Sequence, residues 1–330
     1  MNYALKVIVN IARLLLAATF LFSGFVKAVD PMGMQYKLQD YLVAMSLYSP
    51  AVDDSQWWII VMAVALALLE FVIGAMLLFA INRRMMTKVT LLFMAVMTAL
   101  TVWIYIEDPV PDCGCFGDAL ILTNGQTLAK NIVLLVASVI VARWPLLMPR
   151  MVSLKKQWMI FNFSTVAILA LSAYSLYYLP PIDFRPYHVG ATIGMDSDLF
   201  IEVLPSSLGA TAGDEAGEDI TEQVLTDKGK TLLLIAPYLE QADDGCCGDI
   251  DEIYQYAKDN GIPFYCLTAS EGKAIEHWID ITGAEYPFCF SDETTLKTIV
   301  RSHPGLLLLQ NGTIKGKWSH NHLPSLDELK

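Results

Sequence analysis

Residues 4–29 read ALKVIVNIARLLLAATFLFSGFVKAV. An apolar run of this length exceeds the roughly 20 residues that cross a bilayer. It has neither the short apolar core nor the small-residue cleavage site of a signal peptide, so it reads as a retained membrane helix. Four more apolar runs follow, at about 57–80, 87–106, 127–148 and 157–179, which makes five spans. Composition agrees. Of the 330 residues, 55% are hydrophobic, and mean hydropathy is +0.45. Such a chain is too apolar for an ordinary soluble protein and fits a membrane protein with a soluble part attached. Lipid around the spans is therefore one expected partner.

Outward from the spans, charge sorts the loops. Arg83, Arg84 and Lys88 lie between spans two and three. Arg143, Arg150, Lys155 and Lys156 lie between spans four and five. The other two loops carry Asp40, Asp53, Asp54, Glu107, Asp108, Asp112 and Asp118, with Lys37 the main base. The positive-inside rule puts the N-terminus in the cytoplasm and the acidic loops outside. With five spans, the C-terminal part is also outside. That part is acidic: residues 186–330 hold 24 of the 34 Asp and Glu but 9 of the 22 Lys and Arg. Such a charge argues against nucleic acid as a partner.

One outer loop holds the stretch that points to chemistry, Asp112-Cys113-Gly114-Cys115-Phe116-Gly117-Asp118. Packing cysteines are usually solitary and inert, whereas reactive ones are partly exposed and close to a partner. Two cysteines around one glycine, flanked by acids, read as a dithiol that exchanges with another thiol. A static tie and a two-thiolate metal site are the other readings, but further metal ligands are not evident nearby, so no metal is expected. Four more cysteines, Cys246, Cys247, Cys266 and Cys289, lie in the tail. On this topology all six share the side where disulfides persist.

Polar residues within spans are costly and are generally paired or line a cavity. Arg13 of the first span and Glu70 of the second come to similar depths at ~1.5 Å rise per residue, so an Arg13–Glu70 pair is expected. Lys130 and Asn131 begin the fourth span just after the cysteine loop. A cation there lowers a thiol pKa; the plainer account is a lysine reaching the interface.

Residues 180–190, PPIDFRPYHVG, should run extended after their two prolines. Residues 208–219, LGATAGDEAGED, read as a loop. From 231 on, the pattern is α/β. Strands are expected at TLLLIAPYL, IPFYCLTA, YPFCF, LLLLQ and TIKGKWS, with helices over 249–260, 271–282 and 294–302. Gly261 should stop the first of these helices, and Asn311-Gly312 should make a hairpin turn. This is the order of a thioredoxin-like domain. Cys266 and Cys289 fall within strands, as buried core or as a bridge between neighbours. His303, His320 and His322 accompany no poised serine or cysteine, which speaks against a hydrolase. His320-x-His322 reads as exposed loop before metal site.

Two resemblances add to this reading. Residues 1–150 resemble the MauE/DoxX-like membrane family, named for methylamine utilisation. The matching stretches are Phe22-Ser-Gly-Phe-Val-Lys27 with Asp30-Pro31, Glu70, Asp112-Cys-Gly-Cys-Phe-Gly117, Gln126-Thr127 and Lys130-Asn131. The resemblance implies a four-helix bundle, related in layout to the quinone-linked DsbB and vitamin K epoxide reductase proteins. It implies Cys113 and Cys115 as the redox pair, and a role in disulfide formation or maturation of periplasmic proteins at a bacterial inner membrane. A quinone is the cofactor that layout admits, and no sequence signal secures it. The spacing departs from the pattern: C-x-C here, C-x-x-C in the quinone-linked enzymes. A C-x-C bridge closes a small strained ring and should be readily reduced.

Residues 190–330 resemble a thioredoxin-fold domain of the TlpA or peroxiredoxin-like sort. Leu232–Ile235, the loop Asp243–Gly248 and His303-Pro304 carry that resemblance, with Pro304 in the place of the family's cis-proline. Where that family has Trp-Cys-x-x-Cys, this chain has Gly245-Cys246-Cys247-Gly248. Adjacent cysteines form a vicinal bridge, attack with help from another cysteine, or mark a domain kept for binding.

The architecture expected is therefore multi-domain. It has an all-α transmembrane bundle over 1–150, a fifth span and linker over 151–185, and an α/β thioredoxin-like domain over 186–330. Two functions remain: a thiol–disulfide redox protein whose tail serves an extracytoplasmic client with thiols, or a non-catalytic scaffold whose tail docks that client.

Overall fold

A computed structural model describes residues 3–48, 57–110, 112–204 and 218–330. Asp53, Asp54 and residues 208–217, which enter the sequence reading, lie outside the described residues. The chain divides into two compact units, Met1–Leu176 and Tyr177–Lys330.

The first unit is helical: α1 (Tyr3–Val29), α2 (Pro31–Ala44), α3 (Trp57–Leu78), α4 (Arg83–Glu107), α5 (Asn124–Arg143) and α6 (Gln157–Tyr177). All but α2 are long and apolar enough to cross a membrane. Their outward surfaces carry Ile8, Ile11, Leu92, Val96, Val136, Phe163 and Val166. Apolar surface this extensive is unfavourable in water and is solvated by lipid tails. The protein is a multi-pass membrane protein. Val9, Leu16, Phe20, Ile73, Leu77, Met94, Leu134 and Val141 build the bundle core from α1, α3, α4 and α5.

Close backbone approach sets the register of α1 on α3. A Cβ on Gly24 would sit 2.5 Å from the Phe71 nitrogen and 2.7 Å from the Ala67 oxygen. One on Gly74 would sit 2.7 Å from the Leu21 nitrogen. Small residues permit this approach, a device common between membrane helices. The two contacts run antiparallel and place Glu70 opposite the C-terminal end of α1. The expected Arg13–Glu70 pair is therefore absent. Glu70 pairs with Lys27, Nζ to Oε2 at 2.7 Å. Arg13 instead donates from Nη1 to the Leu78 carbonyl at 2.8 Å, nearer the other end of the bundle. Equal depth estimated from helix rise misses this because the glycine contacts offset the two helices.

The second unit is a seven-stranded mixed sheet with helices. Its elements are β1 (Glu202–Val203), β2 (Glu218–Asp219), α7 (Thr221–Thr226), β3 (Lys230–Ile235), α8 (Cys247–Asp259), β4 (Phe264–Thr268), α9 (Gly272–Thr282), β5 (Phe288–Phe290), α10 (Glu293–Ile299), β6 (Gly305–Gln310) and β7 (Thr313–Ser319). The strand order is β2-β1-β5-β4-β3-β6-β7. β3, β4 and β5 are parallel, β6 runs antiparallel to β3, and β7 runs antiparallel to β6. β3 is covered on both faces, which is why it reads as an unbroken apolar run. Leu233 and Ile235 enter one core with Leu307 and Leu309. Leu232 and Leu234 enter the other with Leu306 and Trp278.

The expected strands and helices are present, with ends that differ by up to a few residues: β3, β6, α8 and α10 begin a residue or two early, most of the others are shortened, and β7 keeps its expected bounds. The far end of the 208–219 stretch forms β2 rather than loop. Asn311 and Gly312 both have positive φ, 52° and 68°, as the tight hairpin turn requires. The His303–Pro304 peptide is cis. Cys266 and Cys289 cannot bridge. Leu267 is the register partner of Cys289, so the two cysteines point to opposite faces and enter separate cores.

Candidate functional site

The loop between α4 and α5 is held by side chains from α1, α2 and α3. The Asp112 carboxylate accepts from the Gly114 N–H at 2.8 Å and from Lys37 Nζ at 2.7 Å. Gly114 and Gly117 both have positive φ, 63° and 51°, and glycine takes that conformation without steric cost. The Tyr41 hydroxyl donates to the Cys113 carbonyl at 2.8 Å. The Cys115 carbonyl accepts twice, from Ser23 Oγ at 2.6 Å and from Lys27 Nζ at 2.8 Å. Lys27 also donates to Ser23 Oγ at 2.7 Å, so Lys27, Ser23, Glu70 and the Cys115 carbonyl form one buried cluster.

This scaffold leaves both sulfurs on one side. The Cys113 and Cys115 sulfurs stand 3.0 Å apart, unbonded, with Cys113 buried and Cys115 partly exposed. The hydrogen bond with the Cys113 thiol, followed by the charges of Lys130 and Lys27, lowers the Cys115 thiol against the opposing effects of burial and Glu70. The same hydrogen bond, with burial, raises Cys113. The two thiols are thus shifted in opposite directions.

Lys130 lies 4.2 Å from the centre of the Phe116 ring. Asn131 is buried and donates from Nδ2 to Thr101 Oγ1 at 3.3 Å. Both line a small cavity with Cys115, Phe116, Glu70 and Met94. Asp118 is set on the short turn 117–119 after Phe116. Arg13 has no part in this site. Sequence reasoning passed over Tyr41 and Lys37, and it placed Lys27 at the end of the span without a role. The available signal was that Ser23, Gly24 and Lys27 share one face of α1 at spacings of three and four.

The cavity beside Cys115 does not enclose a space the size of a quinone ring. The cavity has a volume of about 30 Å³, whereas one that holds a benzene ring measures ~150 Å³. Among the described residues, no His, Cys, Asp and Glu side chains group as metal ligands. His320 makes a hydrogen bond from its ring to Ser302 Oγ at 2.9 Å.

In the second unit, Cys246 and Cys247 sit at the start of α8, directly after the loop from β3. The Asp243 N–H donates to the His303 carbonyl at 2.9 Å. That bond ties the cysteine loop to the residue before cis-Pro304. The Cys246 sulfur contacts the Asp243 carbonyl at 3.4 Å. Burial first, then Cys247 and Asp243, pushes Cys246 up to about 12. Burial with Asp244 and Asp243 pushes Cys247 up to about 11. These thiols are protonated at neutral pH, and their shift is the reverse of that of Cys115.

Residues 5–144 match the family model for methylamine utilisation protein MauE. The search of curated proteins finds no match to this chain. The MauE match takes in α1 to α5 almost entirely and every residue of the Cys113–Cys115 site. It ends before α6, so Cys246, Cys247 and Pro304 lie outside it.

Proposed function

We propose that this protein is a MauE-type membrane thiol–disulfide oxidoreductase whose working pair is Cys113 and Cys115. The observation that carries the reading is the pair of converging sulfurs 3.0 Å apart, Cys113 buried and Cys115 partly exposed, with Lys130 and Lys27 favouring the Cys115 thiolate. Stabilising a thiolate stabilises the reduced pair, and a pair with a stabilised reduced form is an oxidant. The strained ring of a C-x-C bridge acts in the same direction.

The transfer then runs as follows. A client thiolate attacks the Cys115 sulfur of the bridge, forming a client–Cys115 disulfide, and Cys113 leaves and takes up a proton. A second client thiol loses its proton, attacks the client sulfur and expels Cys115 as a thiolate. The client loses two electrons and gains its own disulfide. The pair ends reduced, Cys113 as a thiol and Cys115 as a thiolate.

The loop charges support a cytoplasmic N-terminus, with the C-x-C loop and the α/β unit on the extracytoplasmic side of a bacterial inner membrane. The strand order, the cysteines opening α8 and the cis proline before β6 support a thioredoxin-like reading of the α/β unit. In that reading it passes electrons from an extracytoplasmic client to the C-x-C pair. The raised Cys246 and Cys247 thiols favour a second reading of this unit, in which it docks the client and takes no electrons.

Thiol trapping tests both. Cys113→Ser should accumulate a mixed disulfide through Cys115, and the Cys115→Ser variant should not. Serine at both positions with client maturation intact would overturn the redox reading in favour of a scaffold. Serine at both Cys246 and Cys247 separates the two roles of the α/β unit: trapping persists if the unit docks and disappears if it relays.

A further inference from the structure

Lys27 is a buried cation, its side chain 3% exposed, and it contacts three groups at once. It meets the Glu70 carboxylate at 2.7 Å, Ser23 Oγ at 2.7 Å and the Cys115 carbonyl at 2.8 Å. A cation taken out of water is costly unless it is paired and hydrogen-bonded. Here the pairing partner is intramembrane and one hydrogen bond goes to the backbone of a reactive residue. A pair needed only for helix packing has no reason to spend a donor on the loop.

We propose that Lys27, braced by Glu70 and Ser23, is the positioning residue that makes Cys115 rather than Cys113 the exchanging sulfur. This rests on the reading that Cys115 is the exchanging sulfur. Lys27 acts in two ways. Its bond to the Cys115 carbonyl fixes the backbone so that the Cys113 thiol points at the Cys115 sulfur. Its charge also favours the Cys115 thiolate, while Glu70 opposes it. The net field at Cys115 is thus set by a cation and an anion of one ion pair. Other charged or titratable groups around the loop are Lys130 from α5, Tyr41 and Lys37 from α2, and Asp108, Asp112, Cys113 and Asp118 on the loop itself. The groups from α4 that line the adjoining cavity, Phe93, Met94 and Met97, do not titrate.

The test turns on sign. In the full-length protein, reduced and in lipid nanodiscs, the rate of Cys115 alkylation by iodoacetamide is followed against pH by peptide mass spectrometry. Lys27→Met should move the midpoint up, since an opposite charge nearby favours the thiolate. Glu70→Gln should move it down, because it leaves the cation unopposed. Lys27→Arg should stay near the wild-type midpoint. A merely structural pair predicts that Lys27→Met and Glu70→Gln shift Cys115 in the same direction, and that result, or no shift in either, overturns the proposal. If Lys27→Met does not fold, Glu70→Gln and Lys27→Arg still decide it, since the Glu70→Gln midpoint must fall. An ordinary midpoint in the wild-type protein would instead remove the redox reading itself, so the two failures are distinguishable.

Discussion

Cysteine chemistry here is decided atom by atom, because the six thiols share one chain and differ only in surroundings. Only the thiolate attacks or alkylates. Cys115 is lowered by its hydrogen bond with Cys113 and by the charges of Lys130 and Lys27, while Cys246 and Cys247 are pushed up to about 12 and 11. Cys115 is therefore more readily ionised than the tail thiols. Brief alkylation at pH 7 should label Cys115 at least about a hundredfold faster than Cys246 or Cys247. Lowering the pH should slow Cys115 labelling. Mass mapping of the first labelled peptide checks this, and equal labelling of the tail would contradict it. Tyr41 offers a second test. Its hydroxyl is buried against the Cys113 carbonyl. Tyr41→Phe leaves that carbonyl without its donor, a loss of about 1–3 kcal/mol where a buried group goes unsatisfied. The loop should then be cut faster by protease, while the bundle keeps its melting temperature within a few degrees.

At the scale of elements, the α1–α3 contact governs where the site's charges meet. Gly24→Ala would drive a Cβ into the Phe71 backbone, which no side-chain rotation relieves. Such overpacking costs about 1–3 kcal/mol. Parting the helices should also separate Lys27 from Glu70. Gly24→Ala should therefore lower the bundle's melting temperature in detergent and weaken Cys115 alkylation at pH 6 together. A lower melting temperature with alkylation unchanged would show that the register does not control the site. The same contact explains what the sequence could reveal. The five spans were legible because length and apolarity alone identify a bilayer-crossing helix. The core strands were legible because β3 and β6 are buried on both faces. Helix α2 was passed over although its start was visible: Asp30 caps it by accepting from the Gly33 N–H at 2.9 Å, and Pro31 follows. Its weak apolar periodicity gave a hydropathy reading nothing to hold. The partner of Glu70 was not legible at all. It depends on which glycines touch, a three-dimensional fact that helix rise does not encode.

Across the whole chain, the α/β unit opens at Tyr177, and the segment after it is bound into that unit rather than left free. The Asp183 carboxylate meets Arg185 Nε at 2.7 Å and Lys317 Nζ of β7 at 2.7 Å. Arg185 donates further to the Thr298 carbonyl at 2.9 Å. Ser319 and Asn321 both donate to the Tyr177 carbonyl. Removing Asp183 would leave two buried cations facing each other, and breaking a buried pair in this way costs about 3–5 kcal/mol. In the full-length protein, Asp183→Ala should speed amide exchange in β6 and β7 by about a hundredfold to a few thousandfold, at ~1.4 kcal/mol for each tenfold. A fragment cut at 186 should show the same loss against one cut at 177. The pH dependence has a definite sign. Burial, then Arg185, pushes Lys317 down to about 8, whereas an unfolded lysine titrates near ~10.4. Between those values the unfolded chain holds a proton that the folded one has released, so this group adds stability as pH rises from about 8 to about 10. Protection in β7, corrected for intrinsic exchange, should rise over that window in the wild type. In Lys317→Met, which cannot titrate there, the rise should vanish. A β7 protection profile that stays flat in the wild type would mean that Lys317 does not titrate in that window, and the buried clasp would then have to be redrawn around Arg185 alone.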